Sequence, residues 1–162
     1  MKRLSRLSAA AAVVVVAAAA ATVVLAADGG PSGVQVTPLS QGTIHTKVKA
    51  NTNGIKIKTL GPRFVLVTAI TVDPGGTFGW HSHPGPVLVT VNKGTLTLYR
   101  AHGKDCIKST FGPGDAFVEQ GGDVHLGRNE GSDPVELNAT FLAPTGTTEF
   151  VQPQQEPKAC NV

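Results

Sequence analysis

The stretch that most constrains how this chain folds is Gly75 to Gly94, GGTFGWHSHPGPVLVTVNKG. Successive side chains of a β-strand leave opposite faces, so His81 and His83 share one face, and two imidazoles so placed can share one metal ion. Asp73-Pro74-Gly75-Gly76 reads as a turn cluster before them, and Val87 to Val91 as a β-branched run after them. Asn92-Lys93-Gly94 then reads as a hairpin connection in which Gly94 takes positive φ and folds the run back on Leu96 to Tyr99. Alternation sets Val87, Val89 and Val91 on the face of the two histidines, which are therefore expected to point into an apolar interior. An unpartnered polar group there costs on the order of 1 to 3 kcal/mol, so these imidazoles need a partner.

A second stretch, Gly112 to Asn129, GPGDAFVEQGGDVHLGRN, repeats the plan with a glycine-bounded apolar strand, a tight Gly121-Gly122 turn and one histidine, His125. Together the two stretches resemble the paired motifs of the cupin superfamily. The first motif is a glycine, five residues, His-x-His, three or four residues, a glutamate, six residues and a glycine; Gly75, His81, His83 and Gly94 fall at those spacings. The second is a glycine, five residues, Pro-x-Gly, two residues, a histidine, three residues and an asparagine, matched by Gly114, Gly122, His125 and Asn129. The chain departs from the pattern at Val87, where the motif glutamate would stand, and at Gln120, where the proline would.

The resemblance implies an all-β, single-domain, cupin-like jelly-roll β-barrel. It implies one divalent transition metal (Fe, Mn, Zn, Ni or Cu) held by His81, His83 and His125, as in the minority of cupins that use three histidines and no carboxylate. Three imidazoles leave coordination positions open, the arrangement of reactive rather than structural sites. Without the motif glutamate the centre is one unit more positive, which favours a small anionic ligand. Phe78, Trp80 and Val87 are candidates for the pocket wall. Glu119, just before the Gly121-Gly122 turn, is expected at the surface, as are His45 and His102, which lack a companion at ligand spacing.

The rest of the sequence agrees with an all-β domain. It has 19 Gly and 11 Pro, and no helical periodicity extends beyond Leu25. Strands are expected at 34–37, 43–49, 55–59, 64–72, 87–92, 95–100, 106–111, 116–118, 124–129 and 135–142. The domain is expected over 34–150, after a flexible leader at 28–33 and before a Pro/Gln-rich tail at 151–162.

Lys2, Arg3 and Arg6 precede a small-apolar run from Ala9 to Leu25 that ends in small residues, the pattern of a secretory signal over 1–27 cleaved near Ala26 or Ala27. An uncleaved anchor is the competing reading of the same run. Of 14 Lys+Arg and 11 Asp+Glu, cleavage removes three cations and leaves 11 against 11. A neutral mature chain gives no ground for nucleic-acid binding, and after cleavage none for a membrane. The lysines at 47, 49, 56 and 58 alternate as on a solvated strand face. Two cysteines, Cys106 and Cys160, in an exported chain imply one disulfide that ties the tail to the barrel.

These features describe a secreted, extracellular metal-binding protein with a small-molecule ligand and a homodimer as a candidate assembly. Two functional readings stand: a metal-dependent dioxygenase or related enzyme acting on a small anion, and a non-catalytic module that binds a small molecule or metal. A third keeps the motif histidines as relics of a structural protein.

Overall fold

The computed structural model describes residues 30–162. The expected secretory signal and the first two residues of the leader lie outside the described residues. Every regular element among them is a strand: β1 (Ser32–Ile44), β2 (Lys49–Thr52), β3 (Ile55–Lys58), β4 (Arg63–Ser82), β5 (Val87–Lys93), β6 (Leu96–His102), β7 (Asp105–Phe111), β8 (Ala116–Glu119), β9 (His125–Arg128), β10 (Val135–Pro144) and β11 (Gln152–Pro153).

β4 joins the two halves of the molecule. Its first half pairs with β1 and with β10, which continues through β5 to β8. Its last residues pair with β9 and β11, and β9 continues through β6 to β7. One strand thus serves two antiparallel leaves, and the result is the nearly closed jelly-roll barrel that the resemblance implied.

Asp73 to Gly76 is the corner between the leaves rather than a turn that ends a strand. The strand continues through it, and the shift of register between Ser32–Thr77 and Val34–Val72 marks the bend. Asn129 fastens this corner. Its side-chain amide donates to the carbonyls of Val72 (2.9 Å) and Asp133 (2.8 Å), and its backbone exchanges hydrogen bonds with Gly75 and Gly76. With its side chain fully buried, the motif asparagine is a brace for the bend.

The core follows from period-two alternation. β5 and β10 bury every second residue, which brings Val87, Val89, Val91, Val135, Leu137, Ala139 and Phe141 together between the leaves with Ile70, Val72 and Leu96. A smaller cluster of Trp80, Tyr99, Leu126 and Cys160 lies on the other face of the second leaf. The tail covers it: Cys160 is bonded to Cys106, and the Gln154 amide donates to the Trp80 carbonyl (2.8 Å).

Two further expectations differ from the structure. Ser32 and Gly33, placed in a flexible leader, belong to β1, because Ser32 pairs with Thr77 of β4. Residues 45–48, placed in a strand, connect β1 to the separate β2–β3 hairpin. On that hairpin Lys49 and Lys58 are cross-strand partners and all eight residues are exposed.

Candidate metal centre

His81 and His83 lie at the end of β4, and His125 begins β9 as the cross-strand partner of His81. A bulge sets their phase. The β4–β9 register slips between Thr77 and Trp80, around Gly79 at φ 69°, a backbone state that glycine adopts without cost. Beyond the bulge His81 and His83 face the interior and Trp80 faces outward. The three imidazole centroids lie 4.3, 4.8 and 5.1 Å apart, and one ring nitrogen of each falls within 4.8 Å of the other two. All three side chains are buried.

The backbone sets their tautomers. Nδ1 of His81 is 2.9 Å from the Gly79 carbonyl, Nδ1 of His125 is 2.9 Å from the Asp123 carbonyl, and Nδ1 of His83 is 2.7 Å from the Phe150 carbonyl. A carbonyl oxygen only accepts, so each Nδ1 carries a proton and each ring turns its Nε2 inward. Such backbone contacts are the usual outer support of a metal-ligating histidine. Nε2 of His125 is buried without a hydrogen-bond partner, a cost that a cation in the cluster would remove. Burial, reinforced by the neighbouring His125, lowers the pKa of His81 to about 4, so the ring stays neutral and competent as a ligand at ordinary pH. The donor set therefore fits a divalent transition metal.

Glu119 corrects the sequence reading. It is not at the surface: its side chain is 11% exposed, with Oε2 3.1 Å from His83 Nε2 and Oε1 3.3 Å from His125 Nε2. The second contact is close enough for charge to act but is not aligned as a hydrogen bond. Burial pushes the Glu119 pKa up, but the imidazoles of His125 and His83 outweigh it and hold the group down at about 2, as a carboxylate. Glu119 is the cross-strand partner of Val87. A carboxylate is thus present beside the position where the cupin pattern has its glutamate and this chain has Val87, and the three-histidine set does not stand alone.

The surroundings are apolar. Phe141 meets His83 edge-on at 5.5 Å and Phe78 lies 5.9 Å from His81, while Val87 is buried in the core cluster. Trp80, read as a pocket wall, instead packs with Tyr99, Leu126 and Cys160 outside the second leaf. His45 and His102 are exposed. Arg100 had given no signal in sequence. It is the cross-strand partner of His125 and so shares its face of the sheet, and it enters none of the ion pairs among the described residues. A shallow depression of about 320 Å³ runs along Ser40 to Ile44, Val65 and Val67, and none of the histidines lines it.

Two turns lock together at the centre. Gly85, after His83, and Gly121, after Glu119, are packed backbone to backbone: a Cβ on Gly121 would sit 2.8 Å from Gly85 Cα, and one on Gly85 would sit 2.0 Å from the Leu142 carbonyl oxygen. The Gly122 amide donates to the His83 carbonyl (2.9 Å). Glycine at 85 and 121 lets the strand ends bearing His83 and Glu119 approach each other.

The antiparallel jelly-roll barrel with three convergent histidines on its inner face agrees with the sequence comparison. Residues 69–142 match the family model of the cupin domain, so the chain contains a cupin domain over that stretch. The structure is similar to that of the polyketide cyclase RemF from Streptomyces resistomycificus, at 15% identity over 84% of this chain and 81% of that one, with a TM-score of 0.54. A double-stranded β-helix protein from Klebsiella pneumoniae subsp. pneumoniae matches at 20% identity over 82% and 91%, with a TM-score of 0.47. A cupin superfamily protein from Desulfitobacterium hafniense matches at 14% identity over 68% and 78%, also with a TM-score of 0.47. These likenesses concern the fold alone. No curated protein sequence matches the chain.

Proposed function

We propose that the protein is an exported cupin that binds one divalent transition metal at His81, His83 and His125 and acts there on a small anionic molecule, as a dioxygenase or a related enzyme. The observation that carries this reading is the convergence of three ring nitrogens within 4.8 Å, each imidazole held at Nδ1 by a backbone carbonyl. When bound, the metal would act as a Lewis acid toward a ligand at an open position.

The chain's own groups supply the rest. Phe78 and Phe141 keep bulk water from the imidazoles. Arg100, unpaired beside His125, supports an anionic ligand, because a guanidinium binds carboxylates in a bidentate manner. The Cys106–Cys160 disulfide supports export, since such bonds persist in oxidising compartments. The closure of the centre favours a second reading: with His81, His83 and His125 at 4%, 3% and 1% exposure, the barrel would hold its metal without turnover.

Elemental analysis of protein purified from culture medium tests the binding, together with oxygen uptake over a panel of small carboxylates and enolisable acids. One metal per chain is expected, lost in His125→Ala and kept in His45→Ala and His102→Ala. Wild type that stays metal-free after incubation with each candidate ion would overturn the proposal. A loaded protein with no oxygen uptake on any acid would favour the second reading.

A further inference from the structure

We propose that Glu119 is the fourth protein ligand of the metal centre, delivered from β8 in place of the glutamate that the cupin pattern would put at position 87 on β5. The inference rests on the metal-binding reading above and specifies its ligand set.

Strand register makes the replacement feasible. Val87 and Glu119 are antiparallel partners, and such partners point to the same face with Cβ atoms about 4.5 to 5.5 Å apart. A glutamate reaches two carbons beyond its Cβ to the carboxylate, so the group can enter the same space from either strand. Alternation within β8 gives the same placement independently. Ala116 and Val118 are exposed, whereas Phe117 and Glu119 turn inward, Phe117 against the core cluster. The two carboxylate oxygens then lie against two different Nε2 atoms, Oε2 on His83 and Oε1 on His125. These are the nitrogens that the backbone carbonyls leave facing the centre.

Glu119 makes no ion pair with a lysine or arginine among the described residues; the carboxylate is turned to the two histidines alone. Four candidate ligand groups, three imidazoles and a carboxylate, thus converge from β4, β8 and β9. One divalent cation among them satisfies all four. The locked glycine turns at Gly85 and Gly121 bring the strand ends close enough for this. Relative to three histidines alone, the added carboxylate lowers the net charge of the centre by one.

Cobalt(II) is the probe, because its visible spectrum reports coordination number and donor type. Wild type, Glu119→Gln, His125→Ala and the strand-swapped pair Val87→Glu/Glu119→Val would be titrated with cobalt(II) against a competing chelator. The melting temperature of each metal-free protein would verify folding. Wild type should bind one ion per chain, and Glu119→Gln should bind it more weakly by on the order of 100-fold, the upper end of what outer-shell partners alone cost. Its ligand-field bands should also shift, a change that a carboxylate merely bracing the histidines would not produce. The swapped pair should recover the wild-type bands. If Glu119→Gln binds cobalt with wild-type affinity and spectrum while His125→Ala loses it, the centre has three ligands and the proposal falls. If wild type binds no cobalt at all, the metal-binding reading falls and takes this one with it.

Discussion

Replacing Cys106 and Cys160 together by serine tests how far the tail supports the barrel. The bond spans 54 residues of sequence. On the loop-entropy model, a closure of that length destabilises the unfolded chain by about 4 kcal/mol at 25 °C, and the double variant forfeits that amount. For a domain of this size that corresponds to a fall in Tm of roughly 12 °C. The native structure should change little, because other contacts hold the tail. β11 pairs with Ser82 and His81, and Gln154 donates to the Trp80 carbonyl (2.8 Å) and, through its side chain, to Ser82 Oγ (3.1 Å). The effect lies in the unfolded ensemble, which becomes more expanded without the cross-link, so the denaturant m-value should rise as the midpoint falls. Urea unfolding of the metal-free protein, wild type against double variant, measures both quantities. A stability loss below about 1 kcal/mol with an unchanged m-value would refute the reasoning. It would show that the unfolded chain is not constrained by a bond between these positions.

Two other perturbations probe the centre directly. The metal-free protein should lose stability as pH falls, for two reasons of the same sign. His81 has its folded pKa lowered to about 4, from an ordinary value of 6.5, so the unfolded chain takes up a proton first and up to about 3 kcal/mol is lost as pH drops from 6.5 toward 4. Glu119, held at about 2, stabilises fully above its ordinary value of 4.5 and adds a further loss between there and 2. Unfolding midpoints at pH 7, 5 and 4 measure this, and His81→Gln should flatten the upper step. Gly85→Ala would put a methyl 2.0 Å from the Leu142 carbonyl oxygen, so β10 must retreat. A loss of about 1 to 3 kcal/mol or more is expected, with weaker cobalt binding because His83 lies two residues away.

The barrel and the three histidines were legible because their signals are local. Period-two spacing puts His81 and His83 on one face, and the resemblance of both stretches to the paired cupin motifs implied that His125 joins them. Glu119 was not legible as a site residue because its role depends on the pairing of β5 with β8, a long-range register that no spacing within either motif encodes. A signal existed in β8 itself: Phe117 and Glu119 share a face, so an inward Phe117 implies an inward Glu119 and an outward Val118, against the ordinary hydrophobic ranking. Trp80 was misplaced for a related reason. It adjoins His81, and in a strand adjacency means opposite faces; the bulge at Gly79, which brings Phe78 into the phase of His81, cannot be read from the glycine alone. The corner at Asp73 to Gly76 has the composition of a chain reversal, and the hydrogen bonds of Asn129, over fifty residues away, make it a bend within one strand.

Val87→Glu restores the residue of the cupin pattern, and the register predicts that it burdens the metal-free protein. Val87 is 1% exposed and packed in the core cluster, and Glu119 is its cross-strand partner. The new carboxylate would therefore lie beside an existing one in a buried place, where like charges raise each other's pKa and an unpaired charge is expensive. Loss of a packed valine adds to this. Removing a partner from a buried charge pair costs about 3 to 5 kcal/mol, and a second uncompensated charge is comparable, so the metal-free variant should melt well below wild type. A divalent cation reverses the balance, because two carboxylates then face it with three imidazoles, and metal bound to the native state stabilises by mass action. The rise in Tm on adding cobalt(II) should therefore be larger in Val87→Glu than in wild type, and Glu119→Gln in the same background should relieve most of the metal-free defect. Differential scanning calorimetry with and without cobalt(II) measures both. If metal-free Val87→Glu melts with wild type, position 87 does not share the buried face with Glu119, and the placement of the carboxylate at the centre is wrong.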